Sequence, residues 1–196
     1  MERKPVVAGK FYPGTHASLE KEVRRLLKAK APPRRAIAVV APHAGYVFSG
    51  AVAGMAFASV EVPRRCIVLS PNHTGLGARA AVWARGAWEI PTGRIPVDEA
   101  LATELIKNSP ELKDDAAAHM MEHSLEVELP FLLARQPGLS VVPITLSHLS
   151  TSSCRSIGEA IASAVEAGGE EILVVASTDM NHYESQARTL AKDKLA

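Results

Sequence analysis

A thirty-residue repeat within residues 33–75 constrains the fold of this chain more than any other feature. The first copy reads PRRAIAVVAPHAG and the second reads PRRCIVLSPNHTG, so that His43 falls in register with His73 without a gap. Thirty residues is about the length of one strand–helix–strand unit. Each copy is a basic pair and a short apolar run that breaks at proline and glycine, which is typical of a buried parallel strand ending in a loop.

The repeat predicts that two histidines lie at equivalent ends of two parallel strands. If those strands are neighbours, they lie about 4.8 Å apart, and two imidazoles that each reach about 2.1 Å to one ion could share a metal. Alternatively, each histidine only caps its strand and hydrogen-bonds to a loop. The residues alone leave both interpretations open.

Composition and charge limit the class of protein and its partners. The 196 residues are 47% hydrophobic and 22% charged, which is ordinary for one globular domain with a buried core. The net charge is +1 with both signs interspersed, so we expect neither a nucleic acid nor a membrane as partner. The N-terminus lacks a signal-peptide pattern, and no apolar run reaches about eighteen residues, so we expect a cytoplasmic protein.

Strand and helix patterns alternate along the chain, which predicts an α/β fold: a three-layer α/β/α sandwich with a largely parallel or mixed central sheet. Ligands of such folds bind beyond the carboxyl ends of the strands. The sequence places His43, His73 and the run STDMNHY at 177–183 there, and His123 at the entry of a predicted helix. We therefore expect these segments to line one cleft.

Candidate cap residues predict where several helices begin. Ser18, Ser49 and Asp98 each precede or open an apolar helical pattern, as N-cap residues do. In the run EHSLEVELPF, alternation of apolar residues competes with a helical stripe, and Ser124 as N-cap favours the helix. Pro130 should then kink that helix, because proline removes a backbone hydrogen bond.

Several catalytic motifs are absent from the sequence. It contains no GxSxG elbow, no GxxxxGK[ST] loop, no GxGxxG after a strand and no HExxH. These absences weaken assignment as a serine hydrolase, a P-loop NTPase, a dinucleotide-dependent oxidoreductase or a zincin. A mononuclear metal site or a metal-free polar pocket remains.

Five segments, in this order and at about these spacings, resemble the Memo family over nearly the whole chain: VAGKFYPG, APHAGYVFSG, SPNHTG, EHSLEVELPF and STDMNHY. The resemblance implies a class III extradiol dioxygenase-like fold. It also implies a single Memo-like domain over residues 1–196 that lacks the C-terminal part usual in the family. In those dioxygenases two histidines and a glutamate bind Fe(II), and a further histidine acts as base on a catechol.

When the residue roles are transferred to the matching motifs of this chain, the resemblance implies that His43 and His73 are metal ligands and that His123 is the catalytic base. The third ligand would come from Asn181 or Asp179, and the choice between them stays open. The amide oxygen of Asn181 is neutral, so a site that used it would bind a divalent ion less tightly than two histidines and a carboxylate do.

Other polar side chains of the same segments are expected to support the site. His182 would orient a metal ligand or bind substrate, as residues next to metal ligands do. The remaining candidates for contact with substrate are Tyr46, Asn72, Ser177 and Tyr183.

The function that the resemblance implies is redox or dioxygenase-like chemistry on a small aromatic or related substrate. One divalent ion, iron or copper rather than zinc, would serve it. A second hypothesis is a non-catalytic, metal-free binding protein that takes a small molecule or peptide, with AMMECR-type and radical-SAM proteins as partners. A third is a metal-dependent hydrolase, which would need zinc and a positioned water.

Overall fold

The computed structural model describes residues 1–28, 31–167, 171–181 and 183–195. Over these ranges the strands are β1 (Glu2–Arg3), β2 (Ala38–Ala41), β3 (Arg65–Pro71), β4 (Ala80–Val82), β5 (Ala87–Ile90), β6 (Gly93–Pro96), β7 (Lys113–Asp114), β8 (Ser140–Leu146) and β9 (Ile172–Ser177). The α-helices are α1 (His16–Leu26), α2 (Gly50–Ala58), α3 (Glu99–Asn108), α4 (Leu129–Arg135), α5 (Thr151–Ala167) and α6 (Gln186–Asp193).

The central sheet has six strands in the order β2-β9-β3-β8-β4-β7. The first four strands in this order run parallel to one another, β4 runs antiparallel to β8, and β7 runs parallel to β4. A smaller sheet of β1, β5 and β6 stands beside it. The predicted α/β class with a mixed central sheet is therefore confirmed.

The two strands of the repeat are parallel but they are not neighbours. Strand β9 lies between β2 and β3 and pairs with both, so that Ala41 is opposite Ser177 and Leu69 is opposite Ala176. The two strands are thus roughly 10 Å apart, twice the usual spacing. Side chains that follow β2 and β3 must therefore meet across the end of β9.

The helices form the two outer layers. Helices α1, α2 and α4 pack on one another, and α2 also packs on β2, whereas α3 packs on α5 and β8. Gly54 explains the close approach of α2 to α1, because a Cβ at this position would lie only 2.5 Å from the carbonyl oxygen of Leu26. In the described ranges, none of the helices has the length and apolar character that crossing a membrane requires.

The predicted caps are partly confirmed. Asp98 caps α3, since its side chain accepts a hydrogen bond from the N–H of Leu101. Ser18 was expected to cap the first helix, but Thr15 does so and accepts the N–H of Ser18. Ser49 occupies the N-cap position of α2 without a capping hydrogen bond, because its hydroxyl donates to a carbonyl of the preceding loop.

The helix expected to have Ser124 as its N-cap has Glu128 at that position instead, four residues later. Residues 124–128 form a turn, and α4 starts at Leu129. Pro130 therefore lies in the first turn of the helix, where its missing N–H would have had no intrahelical acceptor. The predicted kink at Pro130 is wrong for this reason.

Candidate metal centre

Three histidines converge at the carboxyl edge of the central sheet. His43 follows β2, His73 follows β3, and His123 lies in the segment before α4. One ligand nitrogen from each ring lies within 4.8 Å of those of the other two. We call these three residues the histidine cluster. The sequence predicted that they would line one cleft, and the structure brings them together.

The cluster is open on one side. The side chain of His43 is only 3% exposed, that of His123 is 23% exposed and that of His73 is 37% exposed. The rings of His73 and His123 stack with their centroids 4.8 Å apart, while the ring of His43 meets both edge-on. The cluster is therefore most accessible at His73.

Glu122 fixes the orientation of two of the rings. Its Oε1 lies 2.9 Å from Nδ1 of His73 and 3.3 Å from Nδ1 of His123. The same carboxylate accepts the backbone N–H groups of His73, His123 and Ser124. An ionised carboxylate can only accept hydrogen bonds, so Nδ1 of His73 carries the hydrogen and Nε2 keeps its lone pair.

The pKa of Glu122 reflects these contacts. Burial alone would raise it, but the hydrogen bonds from His73 and Ser124 outweigh burial and lower the pKa of Glu122 to about 2. The side chain is 1% exposed and still ionised at neutral pH. A buried negative charge therefore lies directly behind two rings of the cluster.

Contacts with the end of β9 fix the orientation of His43. Its Nδ1 lies 3.0 Å from Oγ of Ser177, and its backbone N–H donates to Oδ1 of Asp179 at 3.2 Å. Its Nε2 lies 3.6 Å from Oδ2 of Asp179. In all three rings Nδ1 thus lies within 3.3 Å of a protein oxygen. Nε2 of His43 is farther from its neighbour Asp179, at 3.6 Å, so we assign Nε2 as the nitrogen for a ligand.

The environment favours the neutral form of two of the imidazoles, those of His43 and His123. Burial lowers the pKa of His43, as do its two neighbouring histidines, although Asp179 opposes the shift. Burial also lowers the pKa of His123, against the opposing charge of Glu122. Neutral imidazole is the form that binds metal ions, so these two rings are ready to act as ligands near neutral pH.

The residues present fit one transition metal ion. Ligand nitrogens at about 2.1 Å from one tetrahedral ion are roughly 3.4 Å from one another. The nitrogens of the cluster are up to 4.8 Å apart, somewhat farther than this. Side-chain rotations that move each nitrogen by about an ångström would close the difference. Imidazole suits iron, copper and zinc, and Asp179 adds a carboxylate beside His43.

Of the two alternatives for a third ligand, Asp179 is the one that contacts the cluster. The amide of Asn181 is turned towards α6, because its Nδ2 donates to Asp193 at 3.2 Å and its Oδ1 accepts the hydroxyl of Thr189 at 2.9 Å. This geometry does not support the expected metal role for Asn181.

Two of the expected substrate contacts have other surroundings. Tyr46 is 6% exposed, its hydroxyl donates to the carbonyl of Val127, and its ring stacks on Phe131 with centroids 4.8 Å apart. Tyr46 therefore belongs to the core behind the cluster. Ser177 is also buried, and it contacts His43 directly.

The other expected contacts lie on loops. Asn72 orders the loop that carries His73, since its Oδ1 accepts the N–H groups of Thr74 and Gly75. The side chain of Tyr183 is fully exposed, and its backbone has a positive φ of 52°. His182, expected to orient a ligand or bind substrate, lies outside the described residues.

The sequence reasoning missed three buried glutamates in the run EHSLEVE. Glu122, Glu126 and Glu128 are each at most 1% exposed. Glu126 accepts hydrogen bonds from the guanidinium of Arg3 at 2.5 Å and from the hydroxyl of Tyr12 at 2.6 Å. The signal that could have revealed them is three carboxylates interleaved with leucine and valine, where a solvent-facing segment would not be so apolar.

The N-terminal arm, residues 1–15, also reaches the cluster. The ring centroids of Phe11 and His123 are 4.6 Å apart. The backbone carbonyl of Phe11 accepts the N–H of Tyr46. Phe11 thus packs against the ring of His123 at a tilt of 52° and adds an aromatic wall to the cleft.

Comparison with known proteins agrees with this architecture. A model of the Memo-like protein family matches residues 3–195. A MEMO1 family protein of Thermotoga maritima is 39% identical over 98% of this chain and 75% of its own length. MEMO1 family proteins of Sulfolobus acidocaldarius and Pyrobaculum arsenaticum are each 37% identical, over 100% and 99% of this chain and 75% and 73% of their own lengths. The chain therefore belongs to the Memo family.

Proposed function

We propose that this protein binds one divalent transition metal ion at the histidine cluster and carries out redox or dioxygenase-like chemistry on a small substrate. The observation that supports the proposal most is the convergence of three imidazoles whose Nδ1 atoms all face protein partners. Such preorganisation by neighbouring groups is typical of metal-binding histidines. A chain that needed these histidines only for capping loops would not have to bring a nitrogen of each within 4.8 Å of the other two.

We expect this ion to be iron or copper, as the resemblance to extradiol dioxygenases implies. An ion bound there would supply Lewis-acid or redox chemistry at positions left open by the protein. His43 and His73 serve as ligands in every version of the site. Phe11 and the stacked rings of His73 and His123 form aromatic walls at its open side, which suits a small aromatic substrate.

His123 can fill one of two roles, because a single Nε2 cannot both bind the ion and accept a proton. The three-histidine grouping favours His123 as the third ligand. The 3.6 Å separation of Asp179 from Nε2 of His43 favours the other version. In that version Asp179 completes a site of two histidines and one carboxylate, and neutral His123 takes a proton from the substrate.

Metal analysis of anaerobically purified protein tests the proposal. We expect about one iron or copper per chain in the wild type and in His148→Ala, a control that removes an exposed histidine of another loop. His43→Ala and His73→Ala should lose the ion. Because His43 is buried and its removal could impair folding, His73→Ala with an unchanged circular dichroism spectrum is the decisive variant.

A turnover assay with catechol, using loaded protein, tests the chemistry. In the base version, His123→Ala keeps the ion and loses turnover, while Asp179→Ala loses the ion. In the ligand version, His123→Ala loses the ion. No bound iron or copper and no turnover in the wild type would refute the proposal, and stoichiometric zinc with hydrolytic activity would replace it with the hydrolase hypothesis.

A further inference from the structure

Ser177 connects the histidine cluster to a glutamate buried behind it. Its Oγ lies 3.0 Å from Nδ1 of His43, 2.7 Å from the carbonyl oxygen of Ser124 and 2.8 Å from Oε1 of Glu128. All four residues are at most 3% exposed. Among the described residues, three polar atoms thus share one hydroxyl group in the protein interior.

Counting hydrogens assigns a donor and an acceptor to each contact. A hydroxyl group has one hydrogen and two lone pairs. The carbonyl oxygen of Ser124 can only accept, so it receives the hydrogen of Ser177. The other two neighbours must then each donate a hydrogen to Ser177. For His43 the donor is Nδ1–H, and for Glu128 it can only be the O–H of a protonated carboxylic acid.

The opposite assignment is unfavourable. If Glu128 were ionised, it would either compete with Ser124 for the single hydrogen of Ser177 or face a lone pair of Ser177 at 2.8 Å. The second oxygen of Glu128, Oε2, is buried and has no hydrogen-bond partner among the described residues. A negative charge with a bare oxygen in the core would carry a large desolvation cost.

The titratable neighbours of Glu128 act in the same direction. Burial raises the pKa of Glu128 to about 8, with a further contribution from the charge of Asp179; only a hydrogen bond donated by Ser177, the arrangement rejected above, would lower it. Tyr46, a second titratable neighbour, is neutral because burial raises the pKa of its hydroxyl well above the ordinary value, and any charge on Glu128 would raise it further. In contrast, Glu122 and Glu126 accept hydrogen bonds from N–H and O–H donors.

We propose that Glu128 is a positioning residue for the metal site: a neutral carboxylic acid that donates to Ser177 and so keeps His43 in the Nδ1–H tautomer. The Nε2 lone pair of His43 then faces the site before any ion arrives. This inference rests on the proposed metal function, but it concerns the tautomer of His43 in the metal-free protein. It can therefore be tested without a bound ion.

Infrared spectroscopy of the metal-free protein at pH 7 tests the protonation state. The wild type should show the carbonyl stretch of a protonated carboxylic acid, and labelling of glutamate with ¹³C should shift it. Glu128→Gln should remove this band, and the matched control Glu126→Gln should leave it in place. Absence of the band from labelled wild type would overturn the proposal, and that result requires no variant to fold.

Nitrogen NMR of the metal-free protein tests the tautomer. We expect His43 as Nδ1–H in the wild type and in Glu128→Gln, whose amide N–H can donate to Ser177 as the acid does. In Ser177→Ala and Glu128→Met, which lack the acceptor and the donor respectively, the tautomers should mix. A His43 ring that stays Nδ1–H in both of these variants would overturn the proposal.

Titration with Zn²⁺ alone measures how the loss of Glu128 changes the affinity for a metal ion. Glu128→Gln should bind within about threefold of the wild type, and Glu128→Met should bind about 10-fold more weakly, the lower range for groups that orient a metal ligand. Equal affinity of Glu128→Met and wild type would contradict the positioning role. Failure of every form to bind metal would refute the proposed function alone, since the infrared and NMR results would stand.

Discussion

Glu122 and His73 are joined twice, because the carboxylate accepts both the backbone N–H of His73, at 2.6 Å, and its Nδ1–H, at 2.9 Å. The carboxylate therefore fixes both the loop and the ring of this residue. Because Glu122 also lies 3.3 Å from Nδ1 of His123, one side chain orients two members of the cluster. It is the group behind the site whose removal should affect metal binding most.

We predict that Glu122→Gln weakens metal binding by about 10- to 100-fold, the usual effect of losing a carboxylate that orients metal-binding histidines. In either orientation the amide NH₂ replaces one carboxylate oxygen and faces N–H donors that this oxygen accepted, and the negative charge behind both rings is lost. Titration with Zn²⁺ or Fe²⁺ measures the loss. Glu166→Gln, at an exposed position of α5, should bind as the wild type does, and equal affinities of both variants would contradict this role.

Arg3 and Glu126 form a buried ion pair that connects the N-terminal arm to the segment before α4. Their side chains are 1% and 0% exposed, and the guanidinium lies 4.1 Å above the ring of Trp88. Arg3→Met should lower the free energy of unfolding by about 3–5 kcal/mol, because it leaves Glu126 charged and unpaired in the core. Urea denaturation at pH 7 measures the change.

The double variant Arg3→Met/Glu126→Gln separates pairing from packing. It removes the uncompensated charge, so it should recover part of the stability that Arg3→Met loses. If the double variant is as unstable as the sum of the two single variants, the ion pair is not the cause of the loss.

The sequence revealed the half of the site that depends on local pattern. His43 and His73 stand at matched strand ends because their surroundings are nearly the same sequence, and the end of a buried strand is a local property. The insertion of β9 between their strands depends on pairing over more than a hundred residues. No local pattern records strand order, so the spacing of the two strands could not be predicted.

The remaining parts of the site depend on contacts that only the folded chain makes. Asp179 and Asn181 share one loop, and contacts with α6 draw Asn181 away from the cluster while Asp179 contacts His43. Glu122 and Glu128 are buried, although glutamate is usually exposed. Their partners, His73 and Ser177, are about fifty residues distant in sequence. The local sequence therefore predicts that the two glutamates are exposed to solvent.

His119 should make the protein less stable as the pH falls. It is fully buried between the carbonyl of Ala81 and the hydroxyl of Thr145, and burial lowers its pKa to about 4. The unfolded chain takes up this proton near pH 6.5 and the folded chain does not, so stability is lost between pH 6.5 and 4. The loss due to this group is roughly 3 kcal/mol.

Urea denaturation of wild type and His119→Gln at pH 7 and pH 4.5 isolates this contribution. His119→Gln should lose less stability over this interval than the wild type does, whatever its stability at pH 7. Identical losses in the two proteins would show that other groups account for the acid sensitivity.

Glu128 should produce the opposite dependence at higher pH. Its pKa of about 8 in the folded protein lies above the ordinary value of 4.5, so the folded state keeps a proton that the unfolded state releases. The stability from this group is complete below pH 4.5 and is lost as the pH rises through 8. Relative to wild type, Glu128→Gln should therefore gain about 4 kcal/mol between pH 5 and pH 8.5. Urea denaturation at both pH values measures the gain, and a difference between the two proteins that stays constant from pH 5 to 8.5 would contradict a neutral Glu128.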